Sequence, residues 1–424
     1  MALQKVTEKI AAVPQDGSYF SLEFFPPKTT AGLNNLRSRL YRMAHALRPL
    51  FVTVTWGAGG STATKSLELA QMCQELGLTT CLHLTCTNMS KKLVDEALEQ
   101  AKAMGIRNIL ALRGDKPRDE YKDALSDEKA DEEFVWAIDL VRYIRKTYGD
   151  YFCVGVAAYP EGHADSSHPT DQSLEHDLPF LVDKVQAGAD FIMTQLFYDT
   201  AAYDAFEGRL RAHASGAFQT IPIIPGLMPI QSYQILKRTE TLSHAKVPEE
   251  YMKRLDDVKN DDDMVKKIGV DIVSEIVQKV AATKSRTPGP KGFHFYTLNL
   301  EKAVTLILER TGLLPTLAPE CDTQTDDMDV IPSVLANGNQ TEAASAGDGY
   351  VLVDKKVLKP AFDQTAASKT TAITRMSTLE ISEGGGVQAN AATWDEYEPL
   401  SSPESSPMKI SRRRSLLKYF SSEQ

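Results

Sequence analysis

Cysteine is scarce in this chain: Cys73, Cys81, Cys86, Cys153 and Cys321 are the five among 424 residues. An odd number with no C-x-x-C pair excludes a disulfide framework and a cysteine-built zinc or redox site, and predicts reduced thiols in a cytoplasmic protein. Long hydrophobic runs are missing as well. No stretch reaches the roughly 18 apolar residues of a membrane span, and residues 1–9 lack the basic-then-apolar order of an export signal, so neither a membrane nor a secreted protein is expected. Positive charge is in deficit. A net charge of −10 and an isoelectric point near 5.4 disfavour the basic stripe of a nucleic-acid binder. What remains, 42% apolar and 25% charged residues, is ordinary for a globular chain.

The composition changes near Thr316. Beyond it lie 16 Asp and Glu against 10 Lys and Arg, six aromatic residues, and runs such as Gly384-Gly385-Gly386. Such a segment buries too little apolar surface to offset the entropy of ordering it, so residues 317–424 read as a linker and disordered tail, with Tyr350 to Val353 as one possible short strand. The triple-arginine run Arg412-Arg413-Arg414-Ser415 reads as a solvated charge cluster.

Before Thr316, eight β-branched or aromatic runs fall at 19–25, 50–56, 79–85, 107–113, 152–159, 190–195, 220–225 and 292–298. Between them, apolar residues recur at spacings of three and four, over 36–47, 66–76, 94–104, 134–148, 177–187, 201–212 and 264–282, with 302–310 closing the series. Eight alternating units predict an α/β fold, a (β/α)8 TIM barrel over residues 1–316. A doubly wound sheet is the alternative, but its G-x-G-x-x-G is missing after the first strand, which runs into Phe25-Pro26-Pro27.

A barrel carries its active site at the carboxyl ends of its strands. Those positions are polar here: Glu23, Thr55, His83 with Thr85, Arg113 with Asp115, Tyr159 with His163, Gln195, a Pro225-Gly226 turn, and Tyr296 with Asn299. Glu23, among Leu22, Phe24 and Phe25, is expected to be desolvated, with its pKa raised into the range of a general acid. Pairing with Arg113 or a lysine is the structural alternative. The glycine-rich segment 56–66 has Thr64 where a P-loop needs glycine before Lys65, and reads as a mobile loop over the mouth, with phosphate binding left open. Five histidines (His83, His163, His168, His176, His294) raise a metal site, but neither an H-x-H on the first strand nor an H-E-x-x-H helix occurs, and no catalytic metal is expected.

Seven ordered motifs resemble the methylenetetrahydrofolate reductase family, most closely its eukaryotic, fungal members. They are Ser21-Leu22-Glu23-Phe24-Phe25-Pro26-Pro27, Val54-Thr55-Trp56, Leu82-His83-Leu84-Thr85-Cys86, Ala111-Leu112-Arg113-Gly114-Asp115, Ala158-Tyr159-Pro160-Glu161-Gly162-His163, the run from Ala187 to Gln195, and the run from His294 to Asn299. The resemblance implies an FAD-binding barrel that reduces 5,10-methylenetetrahydrofolate to 5-methyltetrahydrofolate with NADPH or NADH, in one-carbon metabolism and methionine supply. It implies Glu23 as general acid, protonating the bridging nitrogen of the folate, and Asp115 as the carboxylate beside the flavin. Thr55, Trp56, His83, Arg113, Gly114, Asp115, Trp136, Ala137, Ala157, Tyr159, His163, Asp177 and Lys184 match flavin-lining positions. Gln195 and Tyr296, with Tyr233, match folate contacts alongside Glu23. A homodimer is a further implication.

Two departures stand out. Leu300 occupies a position where many members carry a substrate-contacting arginine. The segment Thr393-Trp394-Asp395-Glu396-Tyr397 resembles the opening of the family's S-adenosylmethionine-binding regulatory domain, but residues 398–424 do not continue it, so inhibition by that ligand is expected to be absent. A catalytically impaired regulatory paralogue that binds flavin or folate is the competing reading.

Overall fold

The structure, a computed structural model, describes residues 4–57, 60–87, 89–114, 134–163, 172–287, 289–314, 330–332 and 350–352. Eight parallel strands close into a barrel: β1 (Ser18–Phe24), β2 (Phe51–Val54), β3 (Thr80–Thr85), β4 (Asn108–Leu112), β5 (Cys153–Ala158), β6 (Phe191–Leu196), β7 (Ile223–Leu227) and β8 (Lys291–Tyr296). Each pairs with the next, and β1 closes on β8 with Glu23 opposite Tyr296.

Every expected strand and helix is present. After the first six strands come α2 (Thr30–Leu47), α3 (Ala63–Glu75), α4 (Lys91–Ala103), α5 (Ala137–Tyr148), α6 (Leu174–Gln186) and α7 (Thr200–Arg211). Three helices, α8 (Tyr233–Ser243), α9 (Glu249–Asp256) and α10 (Asp262–Lys284), follow β7, and α11 (Lys302–Arg310) follows β8. Polar caps start them where the loops end: Ser90 accepts from Leu93 N–H, Asp199 from Ala201 and Ala202, and Asp261 from Asp263 and Met264. The expected reading lacked α1 (Val6–Ala12), α8 and α9.

Strand alternation sorts the core into two shells. Leu22, Val52, Leu82, Val154, Ile192 and Phe295 face the helices. Tyr19, Phe51, Cys81, Leu110, Cys153 and Phe191 form a separate interior cluster, to which α1 adds Val6 and Ile10. Asn108 fastens that helix: its Oδ1 accepts from Val6 N–H at 2.7 Å and its Nδ2 donates to Gln4 O and Thr80 O. The amino end of the barrel is thereby filled and plugged, and the inward positions further along the strands turn polar.

One expected feature is corrected. Pro225-Gly226 is not a turn beyond the seventh strand but lies within β7. The register against β6 shifts between Met193 and Leu196, a bulge that accommodates the N–H that Pro225 lacks. Gly226 N–H instead donates to Thr194 Oγ1 at 2.9 Å. A β-carbon on Gly226 would sit 2.3 Å from Thr194 O and 2.6 Å from the Tyr296 ring, so only glycine fits.

A second unit, Pro315–Gly384, contains a two-stranded antiparallel sheet, β9 (Val330–Pro332) with β10 (Tyr350–Leu352). The short strand expected at Tyr350 to Val353 corresponds to β10. The other tail motifs lie outside the described residues.

Candidate active site

Glu23 stands at the centre of the polar end. It is 7% exposed, opposite Thr53 on β2 and Tyr296 on β8. Its Oε1 accepts from the Thr55 hydroxyl, and its Oε2 lies 3.5 Å from His294 Nε2. The other imidazole nitrogen, Nδ1, is 2.8 Å from Ser21 Oγ. With the carboxylate ionised, Nε2–H donates to Glu23 and Nδ1 accepts from Ser21, which fixes the tautomer. Thr297 donates to Glu23 O at 2.6 Å, and the Tyr296 hydroxyl donates to Thr194 O at 2.8 Å.

The protonation expected of Glu23 is corrected by these neighbours. Burial raises its pKa, as anticipated, but the His83 imidazole, His294 and the Thr55 hydroxyl together outweigh burial and hold the carboxyl below its ordinary value. Among the described residues, Glu23 pairs with neither Arg113 nor a lysine: its ion pair is with His294, and the Arg113 guanidinium lies 5.1 Å from the Trp136 ring centroid. His83 is 3% exposed, and burial pushes it down to about 4 against the attraction of Glu23. Neither of its ring nitrogens has a hydrogen-bond partner among the described residues. A neutral imidazole with two unmet polar atoms, buried beside an acid, is the mark of a site that expects a ligand.

A cavity of about 270 Å³ opens beyond β5, between α5 and α6. It gathers Trp136, Ala137, Ala157, Tyr159, Asp177 and Lys184, all singled out in the sequence. Ala157, near the carboxyl end of β5, belongs both to the cavity lining and to the interior cluster. Trp136 and Phe180, 46% and 66% exposed, leave apolar faces at its rim. Lys184 is buried; its Nζ donates to Ala157 O at 2.8 Å, and burial lowers its pKa to about 8 despite Asp177. Asp177 accepts from His163 N–H, and the His163 ring packs edge-on against Tyr159 at 4.6 Å. Gly114, at φ +82°, brings the backbone so close to Thr85 that a β-carbon would lie 2.6 Å from Thr85 Cβ.

Two expected members are placed elsewhere, and a third is not described. Trp56 points outward into the helix-facing shell and lines a groove between α3 and α4, because it has the parity of Val54 rather than Thr55. Tyr233 opens α8 and donates to Asp256 Oδ1 on α9. Asp115 lies outside the described residues. Among the described residues of the glycine-rich segment, Gly57 N–H donates to Thr62 Oγ1, which pairs with Ser66 Oγ, which donates to Thr55 O. Those hydroxyls are consumed by the loop rather than presented to a phosphate. Leu300 is half-buried against the core. Sequence reasoning missed Ser21 and the role of His294; the signal was their common inward parity with Glu23 and Tyr296. Among the described residues, no three His, Cys, Asp or Glu side chains gather as a metal site.

Comparison with known proteins follows the same lines. Residues 7–312 match the family model described as methylenetetrahydrofolate reductase. Methylenetetrahydrofolate reductase 2 of Schizosaccharomyces pombe is 43% identical over 408 residues, covering 93% of this chain and 62% of its own length. A 5,10-methylenetetrahydrofolate reductase of Pectobacterium carotovorum is 33% identical over 70% of this chain and 91% of its own. The chain thus spans 48–62% of the length of these fungal relatives and 91% of the bacterial one. A Clostridium thermocellum protein, whose structure is described as binding two copies of 5-methyl-5,6,7,8-tetrahydrofolic acid, shares the fold at a TM-score of 0.52 and 14% identity, over 73% of this chain and 99% of its own.

Proposed function

Because the chain belongs to the methylenetetrahydrofolate reductase family, we propose that it reduces 5,10-methylenetetrahydrofolate to 5-methyltetrahydrofolate, with a nicotinamide nucleotide as electron donor and FAD as cofactor. The observation that carries this reading is the buried Glu23, held between Thr55 and His294 at the carboxyl end of the barrel.

The residues fit FAD. Lys184 is a buried cation with one carbonyl partner, an arrangement that an anionic pyrophosphate would compensate. Trp136 and Tyr159 offer ring faces beside the cavity, Ala137, Ala157 and Asp177 line it, and His83 carries two polar atoms in search of partners. Thr55, Arg113, Gly114 and His163 complete the set around β2 to β5. When bound, FAD supplies the two-electron carrier between nucleotide and folate.

The protein's own part is binding, orientation and a proton. Gln195 and Tyr296 flank the mouth from β6 and β8 and orient the folate. Glu23 gives its Oε2 proton to the bridging nitrogen of the folate, which opens the five-membered ring. Since its pKa is depressed in the open site, the carboxyl takes up that proton as the ring systems displace water and add to its burial. His294 and Ser21, hydrogen-bonded behind it, hold the acceptor oxygen in place.

Glu23→Gln is expected to leave flavin reduction by the nucleotide within about twofold of wild type and to lower folate reduction by at least the roughly 10²–10⁴-fold of a lost general acid. Stopped-flow absorbance of the two half-reactions measures this, and equal losses in both would refute the assignment.

A further inference from the structure

The turn that leaves β8 beside Glu23 is made in an unusual way. Leu298 and Asn299 are consecutive non-glycine residues in the left-handed region, both at φ +57°. Asparagine tolerates that region because its short amide can bond locally; leucine does not favour it, and here its side chain is buried in the core. Such a conformation persists only where the surroundings over-determine it.

The surroundings do so through Asn299. Its Oδ1 accepts from Phe25 N–H at 3.0 Å and its Nδ2 donates to Phe25 O at 2.8 Å, so one amide side chain extends the β1–β8 ladder past the last strand pair. Asn299 N–H donates at 3.0 Å to Thr297 Oγ1, the same hydroxyl that donates to Glu23 O. From outside, α2 braces the turn: Arg39 donates to Asn299 O, and Arg42 pairs with Glu301 at 2.8 Å. Every one of these contacts bears on the register between the carboxyl ends of β1 and β8, and that register sets the 3.5 Å separation of Glu23 from His294.

We propose that Asn299 is a positioning residue for Glu23: its amide latches β8 to β1 beyond the last ladder pair and holds the carboxyl against His294. This rests on the reading of Glu23 as the proton donor. The latch requires both a left-handed backbone and a short side chain that accepts and donates at once, a combination that asparagine meets. Glycine meets only the first requirement, and aspartate lacks the donor to Phe25 O.

The test uses the full chain carrying Asn299→Gly, Asn299→Ala or Asn299→Asp, with Glu23→Gln in parallel. In Asn299→Gly and Asn299→Ala, flavin content and flavin reduction by the nucleotide are expected to stay within about twofold of wild type. Folate-dependent reoxidation should fall roughly 10- to 100-fold, the cost of a misplaced catalytic group, with Asn299→Asp between them and wild type. Independently, infrared difference titration of flavin-free protein should show the Glu23 carboxyl band moving in Asn299→Gly, with the band identified by its loss in Glu23→Gln. A glycine variant with wild-type reoxidation and an unmoved band overturns the proposal, since the residue then serves only the turn. Equal loss in both half-reactions overturns it as well, by making the effect general. If Glu23→Gln keeps folate reduction, the proton-donor reading fails, and the infrared band alone decides the latch: moved, it stands; unmoved, it falls.

Discussion

Glu23 shows why a buried carboxyl cannot be assigned a protonation state from burial alone. Leu22, Phe24 and Phe25 announce the desolvation, but the groups that outweigh it, His83 and His294, arrive from β3 and β8, the latter 271 residues away. The partner that decides a pKa is a tertiary fact. His83 has the clearest consequence for stability. Its pKa is ordinary, near 6.5, in the unfolded chain and about 4 in the fold, so the unfolded state binds more protons between those values. The contribution of the neutral ring is complete above pH 6.5 and lost as the pH falls toward 4, roughly 3 kcal/mol at the limit. His83→Gln is therefore expected to flatten the decline of the urea midpoint over that interval, and an unchanged acid limb would contradict it. Glu161 runs the other way. Burial raises it to about 7 against the N–H of Lys246, so its ionised form costs stability as the pH rises from the ordinary carboxylate range toward 7.

Among the elements, the barrel strands were legible because each buries an apolar face in both directions, and the boundaries moved by only one to three residues. β7 is the exception that teaches most. Pro225 and Gly226 carry turn propensity, yet the bulge in β6 removes the need for a donor at Pro225, and the crowding by Thr194 and Tyr296 demands no side chain at Gly226. The missed helices α1, α8 and α9 are short, with 7, 11 and 8 residues, and their stability comes from what they pack on. At the β5–α6 cavity, Lys184 makes a measurable prediction. With a pKa near 8 in the open cavity, it is mostly neutral at pH 9, and an anion beside it restores the charge. Binding of ADP at pH 9 is expected to take up about one proton, read by calorimetry in buffers of different ionisation enthalpy, and the uptake should vanish in Lys184→Met.

The whole molecule divides its labour between the barrel's two ends. The amino end is plugged by α1 through Asn108 and a cluster of aromatic and sulfur side chains; the carboxyl end holds Glu23, His83, Gln195, His294 and Tyr296. Asn108→Leu leaves Gln4 O, Thr80 O and Val6 N–H without their partner and is expected to cost about 2–4 kcal/mol of stability. If the two ends are independent, the loss measured by urea unfolding should add to that of Glu23→Gln within about 0.5 kcal/mol, and flavin reduction should be untouched in Asn108→Leu. Much of this was determined by the sequence itself. Alternating β-branched and 3.6-periodic segments specify eight βα units, because each pattern buries its apolar face in only one kind of element. The ends of those strand runs placed the polar residues at the strands' carboxyl ends, and seven ordered motifs gave the family resemblance. Only the tertiary structure decided which of them meet: that Trp56 turns outward by strand parity, that Tyr233 is engaged by Asp256, that His294 rather than a cation partners Glu23, and that Asn299 ties β8 to β1. Those outcomes depend on register and closure between segments far apart in the chain, and local pattern carries no information about either.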